Sequence, residues 1–171
     1  VNGKEYLESN GFKYEETPYD NAFFVDKFAR NSDYDKGLYT FQSIGSIAIC
    51  DAVSGGYRLL DACSAPGGKA VLLSNKFKNV VAQELHTHRA KLIEEYVNRM
   101  GVKNVSVVEG DATCLNKEFV DGFDAVLCDV PCSGFGVIKS NPDIKLNKTE
   151  DDIVNLAGIQ LKIIKNCSRY V

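Results

Sequence analysis

Asp61-Ala62-Cys63-Ser64-Ala65-Pro66-Gly67-Gly68-Lys69 follows a short apolar run and precedes an apolar-periodic stretch, which predicts a strand, a glycine-rich turn and a helix start. Such a turn lets a ligand approach bare backbone. It also presents free N–H groups and the positive end of a helix dipole, so an anionic, nucleotide-like ligand is expected there. Spacing excludes two common owners of such loops. A Walker loop needs glycine where Cys63 stands, five residues before the second glycine, and no Gly-x-Gly-x-x-Gly occurs.

The rest of the chain is consistent with one compact domain. It has 171 residues, 44% of them hydrophobic, enough for a real core. Residues 1–45 read as a leading segment and 46–171 as the ligand-binding core. No apolar run approaches the roughly 20 residues that cross a bilayer, and the start lacks the layout of a signal peptide. A soluble, cytoplasmic protein with no membrane partner is expected. Six cysteines contain no Cys-x-x-Cys pair and only two histidines accompany them, which favours free thiols over a metal site or a disulfide framework. A net charge of −3 gives no global attraction to nucleic acid, so RNA binding would need a local patch or a further segment.

A weakly specified start, with a helix over 1–10, a strand over 22–25 and a loop over 30–36, leads to a helix over 42–53 that is expected under a sheet. Strands follow over 57–62, 80–84, 105–109 and 125–129. Helices separate the first three, the clearest over 88–100 with Ile93, Tyr96, Val97 and Met100 on one face and Gly101 as its stop. This alternation predicts an α/β fold, a doubly wound parallel sheet with helices on both faces. Ligands of such sheets lie outside the carboxyl ends of the strands. That rule gathers the Asp61–Lys69 loop, Glu84, Asp111 and Asp129 onto one rim.

Glu84 ends the second of these strands, about 20 residues past the turn, where a carboxylate can accept both hydrogen bonds of a ribose diol; capping of the next helix is its alternative. Asp111 follows the third strand and can contact an adenine or merely form a turn. A lysine at a helix N-terminus is disfavoured by the dipole, so an anion should compensate Lys69. In Asp129-Val130-Pro131-Cys132-Ser133-Gly134, Pro131 ends the strand and turns Cys132 towards the cleft. A thiol beside a carboxylate suits nucleophilic catalysis when it is ionised.

Both loops, with Asn141-Pro142-Asp143-Ile144, closely resemble the Nol/Nop/Sun family of RNA 5-methylcytosine methyltransferases, above all the bacterial Sun-type 16S rRNA enzymes. Gly37-Leu38-Tyr39-Thr40-Phe41-Gln42 with Ser46 is similar to the element before the family's first strand, and Glu84 to Arg89 to its acidic second motif. The resemblance implies a Rossmann-like methyltransferase fold, S-adenosylmethionine as cofactor and RNA, in particular ribosomal RNA, as partner. By the same resemblance, backbone from Cys63 and Ser64 through Ala65, Pro66, Gly67 and Gly68 embraces the amino-acid part and Lys69 its carboxylate. Glu84 takes the ribose with Arg89 nearby, Asp111 the adenine, and Asp129 faces both methyl donor and cytosine. In the family's chemistry a cysteine thiolate adds to carbon 6 of cytosine so that carbon 5 can take a methyl group.

One departure matters. The family's attacking cysteine belongs to a Thr-Cys pair on a later strand, and no such pair follows Cys132. The chain therefore reads as a fragment, cut before the last strands, with the principal nucleophile expected beyond Val171 and Cys132 left to assist product release. A helix over 149–167, opened by Thr149 and Asp152, is expected to turn Ile153, Leu156, Leu161 and Ile164 inward. The fragment is expected to bind cofactor without turnover, and its fourth strand to form an open edge prone to self-association. Three rivals are weighed: a DNA-type enzyme with Cys132 as nucleophile, a non-catalytic nucleoside- or RNA-binding module, and an NAD-dependent dehydrogenase, which Pro66 argues against.

Overall fold

The computed structural model describes residues 2–27, 30–146 and 149–171. Val1, which the first predicted helix includes, lies outside them. Helix α1 (Gly3–Ser9) is capped by Asn2, and a hairpin of β1 (Tyr14–Glu16) and β2 (Phe23–Val25) follows. The acidic Tyr14-Glu15-Glu16 gives no strand signal of its own, so β1 is legible only through its partner. A short helix α2 (Ser32–Asp35) occupies the stretch expected as loop, because Asn31 caps it through Asp33 and Tyr34.

Helix α3 (Ile44–Ala52) leads into a parallel sheet with the order β5-β4-β3-β6. The strands are β3 (Gly56–Asp61), β4 (Phe77–Glu84), β5 (Val105–Glu109) and β6 (Ala125–Leu127), joined in part by helices α4 (Gly68–Leu73) and α5 (Thr87–Arg99). Helix α3 packs on α4 with Ile44 and Ile49 exposed, and its buried Cys50, near the Lys69 carbonyl, joins Leu59 and Val80 in the core layer on one face of the sheet. Strand β4 begins three residues earlier than expected, since buried Phe77 pairs with Gly56.

Alternation along the strands builds two cores. Leu59, Val80 and Ala82 face one side with Ala70, Leu73, Ile93 and Val97 of α4 and α5. Leu60 and Val81 face the other with Phe123, Tyr170, Ile163 and Cys167. Each fully buried leucine contributes roughly 2 kcal/mol of apolar transfer, so the central strand β3 anchors both layers.

The second layer depends on α6 (Glu150–Cys167), which opens on a capping box in which Thr149 and Asp152 bond each other's backbone N–H. Its orientation corrects the expectation. Ile153, Leu161 and Ile164 are exposed, whereas Ile163 and Cys167 are buried and Leu156 is half-buried. Two polar contacts fix this rotation: Gln160 Nε2 donates to the Pro131 carbonyl at 2.8 Å and Asn166 Nδ2 to the Ala112 carbonyl at 3.0 Å. After α6 the chain buries Tyr170 in this layer and leaves the neighbouring Val171 exposed. Among the described residues β6 has no strand beyond it, and no helix is long and apolar enough to cross a membrane.

Candidate functional site

The strand order reverses between β3 and β6, and there the carboxyl ends of two neighbouring strands diverge and open a crevice. Backbone pairing of Asp61 with Leu127 sets the two strand ends level. The loop after β3 then folds tightly. Ser64 N–H donates to the Gln83 carbonyl and Gly67 N–H to the Ser64 carbonyl at 2.7 Å. Gly67 has a φ of +98°, and a side chain there would press on Ile93 of α5. A Cβ on Gly68 would collide with Gln42 Nε2, so the missing side chain is what admits Gln42 to the site.

Gln42, Asp61, Cys63, Ser64, Ala65, Pro66, Gly68, Lys69 and Asp129 line one cavity. The chain leaves the sheet after Leu127, two residues before the expected strand end, and Asp129 turns to Lys69, with Nζ and Oδ2 at 2.5 Å. The anion that compensates Lys69 is therefore a carboxylate of this chain. At six residues α4 is too short for its dipole to dominate.

Asp61 was legible as a strand terminus, but its role was not. It is 1% exposed, both carboxylate oxygens lack a hydrogen-bond partner, and burial pushes its carboxyl up to about 7 against the pull of the nearby Ser64 hydroxyl and of Lys69. The Ser64 hydroxyl is also buried without a partner. The signal in the sequence was a carboxylate closing an otherwise apolar run. Gln42 left a fainter one, visible only once Gly68 lies against it.

Glu84 is buried at the end of β4, 3.6 Å from Arg89 Nη1, and also accepts from the His86 N–H at 3.2 Å. It thus makes the helix-start contact of the alternative reading, and it lines neither of the two cavities described for this chain. Arg89 Nη2 reaches back to the Ala65 carbonyl at 3.4 Å and ties the second motif to the first. Asp111 forms a turn, accepting from Thr113 N–H and hydroxyl at 2.8 and 2.7 Å, and these bonds hold its carboxyl below the usual range. It lines a separate cavity with Gln83, Gly110 and Cys114.

The cysteines divide by environment. Burial pushes the Cys63 thiol up to about 12 and Cys50 to about 11, so neither serves as a nucleophile at neutral pH. Cys128 is lowered by a hydrogen bond with Cys167, whose own thiol is raised by the same contact. Cys132 is exposed beyond Pro131, whose carbonyl Gln160 holds. Val171, beyond which the attacking cysteine is expected, is exposed and lines neither cavity. No group of His, Cys, Asp and Glu suited to a metal ion occurs among the described residues.

Residues 50–171 match the family described as 16S rRNA methyltransferase RsmB/F. The chain is 42% identical over 117 residues to a Bacillus subtilis protein named probable ribosomal RNA small subunit methyltransferase B, covering 66% of this chain and 26% of that one. It is 36% identical over 137 residues to the 28S rRNA (cytosine(4447)-C(5))-methyltransferase of Homo sapiens, covering 77% and 17% respectively. Among solved structures, NSun6 from Pyrococcus horikoshii with SFG superposes with a TM-score of 0.72 at 26% identity, over 87% of this chain and 39% of that chain. The chain thus spans about a quarter or less of the length of these two curated relatives.

Proposed function

The chain belongs to the 16S rRNA methyltransferase RsmB/F family, and on that premise we propose that it is the cofactor-binding part of an S-adenosylmethionine-dependent cytosine-C5 methyltransferase acting on ribosomal RNA. The observation that carries this reading is the meeting of the two diagnostic loops, 60 residues apart, through Lys69 and Asp129 at one cavity. The human relative's name specifies carbon 5 of cytosine in ribosomal RNA, and the Pyrococcus horikoshii neighbour is described with SFG, an S-adenosylmethionine analogue. A cytoplasmic location is part of the same proposal and rests on the ribosomal RNA substrate.

The residues present fit the cofactor. Orphaned polar atoms of Asp61 and Ser64 line the cavity, and the absent Cβ of Gly68 keeps it open beside Gln42. Lys69 holds the carboxylate of the amino-acid end, the backbone from Cys63 to Gly68 surrounds it, Glu84 takes the ribose with Arg89 bracing it, and Asp111 lies at the adenine end. When bound, S-adenosylmethionine supplies a methyl group on a positively charged sulfur. Asp129, half-exposed beside Lys69, shares a proton with the target base and so eases thiolate addition to its carbon 6.

Cys132 assists release of the methylated base. No Thr-Cys pair follows it up to Val171, so no residue here carries the attack on carbon 6, and these residues alone bind cofactor without turnover. Residues 1–45 act as a leading segment and 46–171 as the cofactor-binding core. The unpaired edge of β6 makes self-association the expected behaviour of the isolated chain.

Calorimetric titration with S-adenosylmethionine, repeated with Glu84→Ala, tests the reading. Binding that the substitution abolishes supports it, and absence of binding by the unaltered chain overturns it. Methyl transfer to RNA by the 171 residues alone would overturn the assignment of no turnover.

A further inference from the structure

Cys128 and Cys167 meet in the second core layer, and methyl transfer makes no use of either. Cys167, the last residue of α6, is 2% exposed; half-buried Cys128, the first residue beyond β6, packs against the same cluster. Two fixed points bring them level. Gln160 Nε2 holds the Pro131 carbonyl at 2.8 Å, and just past α6 the Tyr170 carbonyl accepts from the N–H groups of Gly122 and Phe123, each at 3.0 Å. Helix and strand therefore run antiparallel between these contacts. From Gln160 to Cys167 a helix rises about 10 Å. From Pro131 back to Cys128, at strand rise, the chain spans about the same. Gln160, Ile163 and Cys167 succeed one another at steps of three and four, so one face of α6 carries the contact, the buried apolar residue and the thiol. The two thiols meet there in a hydrogen bond.

We propose that Cys128 and Cys167 form an oxidation site, a dithiol that a peroxide converts to an intrachain disulfide tying the end of α6 to the exit of β6. Exposure divides the roles. A molecule as small as hydrogen peroxide reaches Cys128, whose thiol the contact with Cys167 holds below the ordinary range. The Cys128 sulfur attacks one peroxide oxygen, the O–O bond breaks, and hydroxide leaves and takes up the thiol's proton as water. Cys128 is then a sulfenic acid. The Cys167 sulfur attacks it from within the core: the S–S bond forms as the S–O bond breaks, and the departing hydroxide leaves as a second water with the Cys167 proton. The two thiols give up two electrons and two protons, and the peroxide receives both.

The other cysteines are set apart. Cys63 is a neighbour of both, but burial pushes its thiol up to about 12 and keeps it protonated. Cys114 and Cys132 are exposed and stand outside this layer. Disulfides in reducing compartments are transient and redox-sensing, so a dithiol reductant should reopen this one. Asp129 follows Cys128 directly, and closure therefore fixes the segment that brings Asp129 to Lys69.

The test treats the reduced, folded 171-residue chain with an equimolar amount of hydrogen peroxide, blocks the remaining thiols in denaturant, and maps peptides without reduction. Cleavage before Asp129 parts Cys128 from Cys132. A peptide pair joined through Cys128 and Cys167, lost on treatment with dithiothreitol, is expected. Cys167→Ser should leave Cys128 as a sulfenic acid that dimedone traps, and Cys128→Ser should leave Cys167 unoxidised. Blocked, unoxidised Cys128 and Cys167 in the unaltered chain overturn the proposal without need of any variant, and a Cys63–Cys128 bond in their place overturns the pairing. None of these outcomes depends on cofactor binding, so the cofactor reading stands or falls separately.

Discussion

The Lys69 ammonium lies 2.5 Å from the Asp129 carboxylate, one residue in the first turn of α4 and the other two positions beyond β6. This contact closes the crevice at the point where the strand order reverses, so the cavity is built by residues distant in sequence and adjacent only in the fold. Lys69 is largely covered and Asp129 half-exposed, which makes the two ends of the pair unequal in what they contribute.

Lys69→Ala should separate binding from stability. A half-exposed ion pair is worth at most about 1 kcal/mol to the fold, whereas a charged hydrogen bond to a ligand carboxylate is worth about 1.5–3 kcal/mol. The affinity for S-adenosylhomocysteine should fall about 10- to 100-fold with only a small change in urea midpoint. Calorimetry and equilibrium unfolding on the same preparation check both, and an unchanged affinity refutes the role of Lys69.

Asp61 should give stability a distinctive pH dependence. Its carboxyl is raised from an ordinary 3.8 to about 7 by burial, so across that window the folded chain keeps a proton that the unfolded chain releases. The contribution is fully present below about pH 4, is lost as pH rises through about 7, and is constant above. Relative to Asp61→Asn, the unaltered chain should lose stability by up to about 1.4 kcal/mol per pH unit within the window. Urea unfolding of both proteins at about pH 5 and about pH 8, inside and above the window, measures it, and parallel pH profiles would contradict it.

Arg99 should hold the leading segment in place. Its guanidinium donates to the carbonyls of Tyr34 at 2.6 Å and Tyr39 at 3.3 Å and to the Thr40 hydroxyl, and lies 3.9 Å from the centre of the Tyr34 ring. Arg99→Ala should cost about 2 kcal/mol and expose residues 30–41 to protease. Gly37→Ala should do likewise, because φ is +75° there and the new Cβ would meet the Arg99 carbonyl oxygen. Limited proteolysis with mass mapping reads both, and intact segments would count against the clamp.

Self-association through β6 should depend on concentration. Its outer row of N–H and C=O groups is unpaired among the described residues, a template for another strand. Light scattering over a dilution series should show mass falling towards the monomer as the chain is diluted, and a monomer throughout would argue against edge pairing.

How far the sequence could be read depended on whether a residue's neighbours were local. The turn after β3 was legible because Pro66, Gly67 and Gly68 act within a few residues, and the α6 start because Thr149 and Asp152 bond each other. The buried face of α6 was misread for the opposite reason. Its apolar residues are spread around the helix, and Gln160 with Pro131 and Asn166 with Ala112 choose the rotation from 29 and 54 positions away. Strand β1 escaped notice because only pairing with β2 makes it extended.

The sequence by itself determined the alternation of strands and helices, the two loops and the family they belong to, since each depends on periodicity or on backbone restrictions set by adjacent residues. The tertiary structure decided which charges meet. Lys69 turned out to face Asp129, Asp61 was left buried without a partner, and Gln42 entered the cavity beside Gly68. Those outcomes follow from the parallel register and the strand reversal, which bring distant residues within hydrogen-bond range and exclude water from one carboxylate but not from the other.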